Sequence, residues 1–223
     1  MTRVLMLLSV LLAALAGPLR AQDAPRVLVL GDSMLATGAE GTSVGDRLGA
    51  ALGARPVDRA VPGARMIWRL PITGAAFSIP RQYVEGEWDW VVVNGGGNDL
   101  WMGCGCDRCG RTLDRMISAD GRAGAIPRLA MRARGAGARV IWVGYLRTPG
   151  VPSPIDHCRR DGDELEGRIA RMAGLVDGIE FVSLADLVPE GDRSYHGWDR
   201  IHPSPKGSAA IAARIAARIA AAR

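Results

Sequence analysis

One repeated pattern limits what this chain can fold into. A short, unbroken apolar run stops abruptly at glycine and small polar residues. It occurs first at Val27–Leu30, which runs into Gly31-Asp32-Ser33. It recurs within the strands read at residues 88–94, where Trp90–Val93 runs into Asn94 and then Gly95-Gly96-Gly97-Asn98-Asp99, and at residues 139–144, where Val140–Val143 runs into Gly144. Short apolar runs bounded by turn residues read as strands buried on both faces, and such strands are parallel. Residues 55–61, closed by Pro62-Gly63, and residues 179–184 supply two more strands. Helical spacing fills the gaps. Thr42 or Ser43 caps a helix carrying Val44, Leu48 and Leu52, which Gly53 ends. A short helix is expected near residues 75–84 and longer ones over 112–134 and 162–175, with Gly121, Gly124 or Pro127 able to break the former. In the last segment Ile211, Ile215 and Ile219 share one helical face. Five strand–helix alternations predict an α/β fold: a three-layer α/β/α, flavodoxin-like, doubly wound parallel five-stranded sheet. No second core or linker interrupts residues 22–223, which read as a single domain.

Residues 1–21 read as a signal peptide. Arg3 gives a positive start, an apolar run follows, and small residues lead to a cleavage point after Ala21. The run is short for a membrane-spanning helix, and no later segment is long and apolar enough, so no stable membrane insertion is expected once the leader is removed. The implied location is periplasmic or secreted. The formal charge is +5, and Arg3 and Arg20 lie in the leader. Of the 28 basic residues only Lys206 is lysine, and the arginines are scattered among acids. Nucleic-acid binding needs basic residues clustered on one face with aromatics between them, so it is not expected.

Four cysteines, Cys104, Cys106, Cys109 and Cys158, behind a leader suggest two disulfides formed in an oxidising compartment. Cys104 and Cys106 are too close in sequence to pair well, so one bridge is expected to tie the 104–109 loop to Cys158. A metal site built from Cys104, Cys106, Cys109, His157 and Cys158 is the alternative reading.

The strand ends carry the chemistry. In an open α/β sheet, ligands bind at the carboxyl ends of strands. Ser33 sits at such an end, where it either caps the next helix or faces a cleft. Asn98 follows another, and Asp199-Arg200-Ile201-His202 comes in the last loop. A serine hydroxyl needs a base, histidine is the usual one, and a carboxylate orients it. A backbone N–H at glycine and an Asn amide suit a developing oxyanion.

Gly31-Asp32-Ser33-Met34, Gly63, Gly96-Gly97-Asn98-Asp99 and Asp199-Arg200-Ile201-His202 resemble, in order and spread, the four motif blocks of the SGNH hydrolases, also called GDSL esterases/lipases. The resemblance implies a serine esterase acting on carboxylic (acyl or acetyl) esters through an acyl-enzyme on Ser33. His202 would be the base and Asp199 its orienting partner. The oxyanion hole would comprise the N–H groups of Ser33 and Gly63 and the side chain of Asn98. No metal or organic cofactor is implied, and the partner is a small-molecule, glycan or lipid ester. Met34 stands where the family has Leu, and the glycine block lacks the Asn often seen upstream. The cysteine loop is not part of the pattern. Within enzymes, the alternative is an O-acyltransferase or deacetylase acting on envelope polysaccharide. A more remote one is a non-catalytic binding or redox protein using the cysteine loop. Asp32 and Asp99 read as turn-fixing residues, and His196 as a weaker candidate base than His202. Trp101 and Trp198 could line a pocket.

Overall fold

Strand β1 (Val27–Leu30) is the pivot of the molecule: it pairs in parallel with β2 (Val57–Asp58) on one side and β3 (Trp90–Val93) on the other. The sheet continues through β4 (Arg139–Val143) to β5 (Ile179–Val182), giving five parallel strands in the order β2-β1-β3-β4-β5. This computed structural model describes residues 24–67 and 74–222. The expected leader lies outside the described residues.

Alternation along the strands builds two cores, because successive side chains point to opposite faces. Val27, Val29, Val92, Ile141 and Val143 pack with Leu48, Ile211, Ile215 and Ile219 on one face. Leu28, Leu30, Val91, Val93, Val140 and Trp142 pack with Met116, Ile126, Leu165 and Ile169 on the other. Burying each such side chain stabilises the fold by about 1.5–3 kcal/mol. The first face is covered by α1 (Val44–Leu52) and α5 (Pro205–Ala221), the second by α2 (Gly110–Met116), α3 (Ala125–Gly135) and α4 (Arg159–Leu175). This is the expected three-layer, doubly wound arrangement.

Local chemistry sets the element ends. Ser43, not Thr42, caps α1: its hydroxyl accepts from Asp46 N–H at 3.1 Å while the Asp46 carboxylate accepts from Ser43 N–H, a reciprocal capping box. Gly53 closes α1 in the left-handed conformation at φ 61°. The helix expected over 112–134 is two helices. Gly121 and Gly124 adopt φ of 77° and 123° between them, and Ser118 accepts from the Ala123 N–H, so the chain turns instead of continuing. The second strand is shorter than residues 55–61 because the Asp58 carboxylate accepts from Ala60 N–H and bends this exposed edge. Bonds from Arg59 N–H to Val29 and from Val61 N–H to Gly31 still tether it. The segment 75–84 holds one 3₁₀ turn (Ala75–Phe77) and one α-turn (Ile79–Gln82).

The strand order reverses between β1 and β3. In doubly wound sheets that switch point opens a crevice at the carboxyl ends. Ser33 and Asn98 follow those two strands.

Candidate active site

The Ser33 side chain is presented by a turn held from three directions. Asp32 is 1 % exposed and accepts from Met34 N–H at 3.0 Å, capping the single helical turn Ser33–Ala36. Gln82, equally buried, grips Gly31 at both polar atoms: Oε1 accepts from Gly31 N–H (2.7 Å) and Nε2 donates to Gly31 C=O (2.9 Å). The third hold is Tyr145, just beyond β4. Its hydroxyl donates to Asp32 Oδ2 at 2.7 Å and accepts from Gly97 N–H at 2.8 Å. One phenol thus joins the ends of β1 and β3. Burial pushes the Asp32 carboxyl above its ordinary range, against the hydrogen bonds from Tyr145 and Met34, and drives the Tyr145 phenol well up.

The Asn98 turn is fixed from below. A Cβ on Gly97 would lie 2.7 Å from the Tyr145 ring, and Gly96, at φ 111°, has the Leu165 side chain at the same distance. Small residues are therefore required where the loop passes these side chains. Asn98 Nδ2 donates to Ala64 C=O at 3.0 Å. Ala64 follows a tight turn in which Ala64 N–H bonds to Val61 C=O, with Pro62 and then Gly63 at its centre. Gly63 takes φ 82°, as the third residue of such a Pro-Gly turn does. Asp99 holds the next residues: its carboxylate accepts from Met66 and Ile67 N–H at 2.7 and 3.0 Å, and burial raises its pKa to about 6.

The third part comes from the far end of the chain. Asp199 Oδ1 accepts the N–H groups of Ile201 and His202 at 3.0 and 3.1 Å. That turn directs Oδ2 to His202 Nδ1 at 2.5 Å. The other ring nitrogen, Nε2, lies 2.8 Å from Ser33 Oγ. Burial pushes Asp199 up, but bonds from His202 and the two backbone N–H groups outweigh it, and its pKa lies below the ordinary value. His196 does not reach Ser33. It is buried in the wall of the cleft, and burial lowers its pKa. A hydroxyl bonded to an imidazole, itself bonded to a carboxylate, can give up its proton as it attacks an acyl carbon.

The cleft beside these residues is lined by Met34, Leu100, Trp101, Leu146, Ile155 and Leu165 along its apolar wall. Ser33, Asn98 and His202 line it too; Gly63 does not. Two disulfides lie beside the cleft, and Cys158 of one of them lines it. Cys104–Cys109 closes a π-helical turn (Leu100–Cys104), and Cys106–Cys158 joins the residues just after that turn to the start of α4. The ligand atoms of Cys106, His157 and Cys158 lie within 4.8 Å of one another, but two of them are sulfurs bonded to each other. A disulfide does not offer the thiolates that zinc takes. Trp101 is half exposed on the cleft wall, and Trp198 is 96 % exposed. Tyr145 and Gln82 were not among the expected site residues. Tyr145 stood in view directly after a predicted strand end, whereas Gln82 gave no local signal.

The chain is an α/β protein of the doubly wound class in which Ser33, His202 and Asp199 form one chain of hydrogen bonds at the switch point. The chain matches the GDSL-like Lipase/Acylhydrolase family over residues 29–210, and it belongs to that family of ester hydrolases, the SGNH hydrolases of the sequence reading. Its fold is similar to that of a catalytic mutant of an acetylxylan esterase from Geobacillus stearothermophilus, with a TM-score of 0.62 and 19 % identity, covering 87 % of this chain and 94 % of that one. It is also similar to a carbohydrate acetylesterase from Sinorhizobium meliloti, with a TM-score of 0.56 and 18 % identity, covering 89 % and 100 %. A search of the curated proteins finds no match.

Proposed function

We propose that this chain is a serine esterase that cleaves small carboxylic esters through an acyl-enzyme. The observation that carries the reading is the 2.8 Å contact between Ser33 Oγ and His202 Nε2, with Asp199 on the other ring nitrogen. His202 takes the Ser33 proton as Oγ attacks the acyl carbon. The tetrahedral oxyanion is received by the Ser33 N–H and the Asn98 amide, both in the cleft lining, with the Gly63 N–H, outside that lining, the third donor that the family pattern implies. As the C–O bond breaks, His202 returns the proton to the departing alcohol. Water, deprotonated by His202, then attacks the acyl carbon and releases the acid from Ser33. Asp199 stays ionised and stabilises the imidazolium. The apolar wall of the cleft receives the acyl group. The two fold neighbours named above act on acetylated carbohydrate by name, which favours a short acyl group on a sugar alcohol. Two disulfides favour action outside the cytosol, after removal of residues 1–21. Residues 22–223 form the working domain.

The test is turnover of p-nitrophenyl acetate by the wild type and by Ser33→Ala. The variant is expected to lose about 10⁴–10⁶-fold in kcat. Full activity in Ser33→Ala would remove Ser33 as nucleophile.

A further inference from the structure

A second, open cleft adjoins the first. Thr148, His196 and Arg200 line both, so the two are continuous. The second has a different character. It is lined by Asp192, Arg193 and Trp198 in addition to those three. Asp192 is already neutralised: Lys206 Nζ lies 3.1 Å from it, and Ser194 donates to it. Neither the Arg193 nor the Arg200 guanidinium has an ion-pair partner among the described residues. The open cleft therefore presents two uncompensated cations beside the indole of Trp198, which is 96 % exposed.

Arg200 carries a further mark. It lies between Asp199 and His202 and takes φ 59°, a left-handed conformation that side-chain-bearing residues rarely adopt. The conformation is held by Arg200 N–H donating to Gly197 C=O at 3.1 Å and by Ser153 Oγ–H donating to Arg200 C=O at 2.9 Å. Glycine would relieve that strain, yet an arginine stands at the junction of the two clefts. Strain of this kind persists where the surroundings over-determine it, and it clusters at ligand sites.

We propose that the second cleft is the leaving-group subsite of the esterase, built for an anionic sugar alcohol. Trp198 stacks against the sugar ring, and Arg193 and Arg200 hold an acidic substituent. The apolar cleft keeps the acyl group, so the ester bond spans the junction beside Ser33. The inference rests on the esterase reading above. An aromatic face suits the C–H face of a pyranose, and a guanidinium fork suits a carboxylate or phosphate.

The experiment compares kcat/KM for acetylated methyl glucuronide, acetylated methyl glucoside and acetylated glucose phosphate, each relative to p-nitrophenyl acetate. The wild type is expected to prefer the anionic sugars by about tenfold at low salt, with the preference shrinking as salt screens the charges. The glucuronide and the phosphate arms show which acid fits better. Arg193→Gln and Arg200→Gln should each shift the anionic-to-neutral ratio toward one. Trp198→Ala should lower both sugars against p-nitrophenyl acetate and leave that ratio in place. Calorimetry with the Ser33→Ala protein and acetylated methyl glucuronide reads binding without turnover, and high salt should weaken it. Equal use of anionic and neutral sugars by the wild type, or equal loss of both in the arginine variants, overturns the subsite. Absence of turnover on every ester overturns the esterase reading instead, and the calorimetric titration then decides the subsite alone.

Discussion

The two halves of the candidate site are built in opposite ways. Ser33 and Asn98 follow central strands, and the groups that aim them are buried: Asp32, Gln82 and Asp99 are each 1–2 % exposed. Their partners come from distant parts of the chain, as with the bond between Asp32 and Tyr145. Asp199 and His202 instead sit on a partly exposed loop whose bonds are mostly local. Gly197 N–H bonds to His202 C=O, Ser204 N–H bonds to Tyr195 C=O, and Asp199 caps its own next residues. That loop is fastened to the core through Ser204, which caps α5 and donates from its hydroxyl to Ser194 C=O. The attacking side is therefore fixed by the fold, whereas the base side is fixed by a turn. Damage to the first should spread into stability, and damage to the second should stay in the chemistry.

Apart from the nucleophile itself, the largest effect should come from the base side and fall mainly on turnover. Asp199→Asn keeps the turn but puts an amide against His202 Nδ1, which favours the wrong tautomer. A loss in kcat of about 10⁴-fold is expected, with a smaller drop in melting temperature than Asn98→Ala produces. A large drop in melting temperature would show that the loop is part of the fold's support after all. On the attacking side, Asn98→Ala removes one oxyanion donor and also the bond to Ala64 C=O. It should lower kcat by about 10²–10³-fold and, unlike Asp199→Asn, also lower stability. Unchanged kcat would take Asn98 out of the oxyanion hole.

Gln82→Ala sharpens the comparison because Gln82 does not line the cleft. It leaves Gly31 N–H without its partner in a buried turn and opens space beneath it. Together these should cost about 3–4 kcal/mol of stability, read by urea denaturation. A loss below about 1 kcal/mol would mean that the Ser33 turn holds itself.

Much of this was legible in the residues, and the reason is physical. Buried parallel strands need uninterrupted apolar runs, so β1, β3 and β4 stood out, and the α/β/α order followed. Ser33 and Asn98 were visible for the same reason, since each follows a strand end, while the Asp199/His202 pair stood out by residue type and spacing in the loop before the last helix. The edge strand was harder, because β2 is exposed and Asp58 bends it. The break between α2 and α3 turned on which glycine took a positive φ, a matter of neighbours in space. Tyr145 and Gln82 were missed because each acts on a partner far away in sequence, 113 residues for Tyr145 and Asp32 and 51 for Gln82 and Gly31. Disulfide connectivity was half legible. The link from the loop to Cys158 followed from the poor pairing of Cys104 with Cys106, while the choice of Cys106 depended on the turn that Cys104–Cys109 closes.

The smallest effect tests whether burial on the attacking side has an electrostatic cost. Asp99 is ionised only at the expense of its buried surroundings, and its pKa is about 6 against 3.8 for an ordinary aspartate. Between those values the folded chain holds this proton more tightly than the unfolded chain does. Stability from Asp99 is thus fully present below about pH 4 and falls as pH rises to about 6. The change is at most about 3 kcal/mol, since one pKa unit corresponds to about 1.4 kcal/mol. Asp199, whose pKa is lowered, works the other way: it stabilises the fold above the ordinary carboxylate range and loses that contribution as pH falls. Melting temperatures of the wild type and Asp99→Asn, measured from pH 4 to 7, separate the two. The wild type should lose stability relative to the variant as pH rises through this window. A difference that stays flat would mean that the two N–H groups of Met66 and Ile67 fully offset the burial of the charge, and that the attacking side is held at no electrostatic cost.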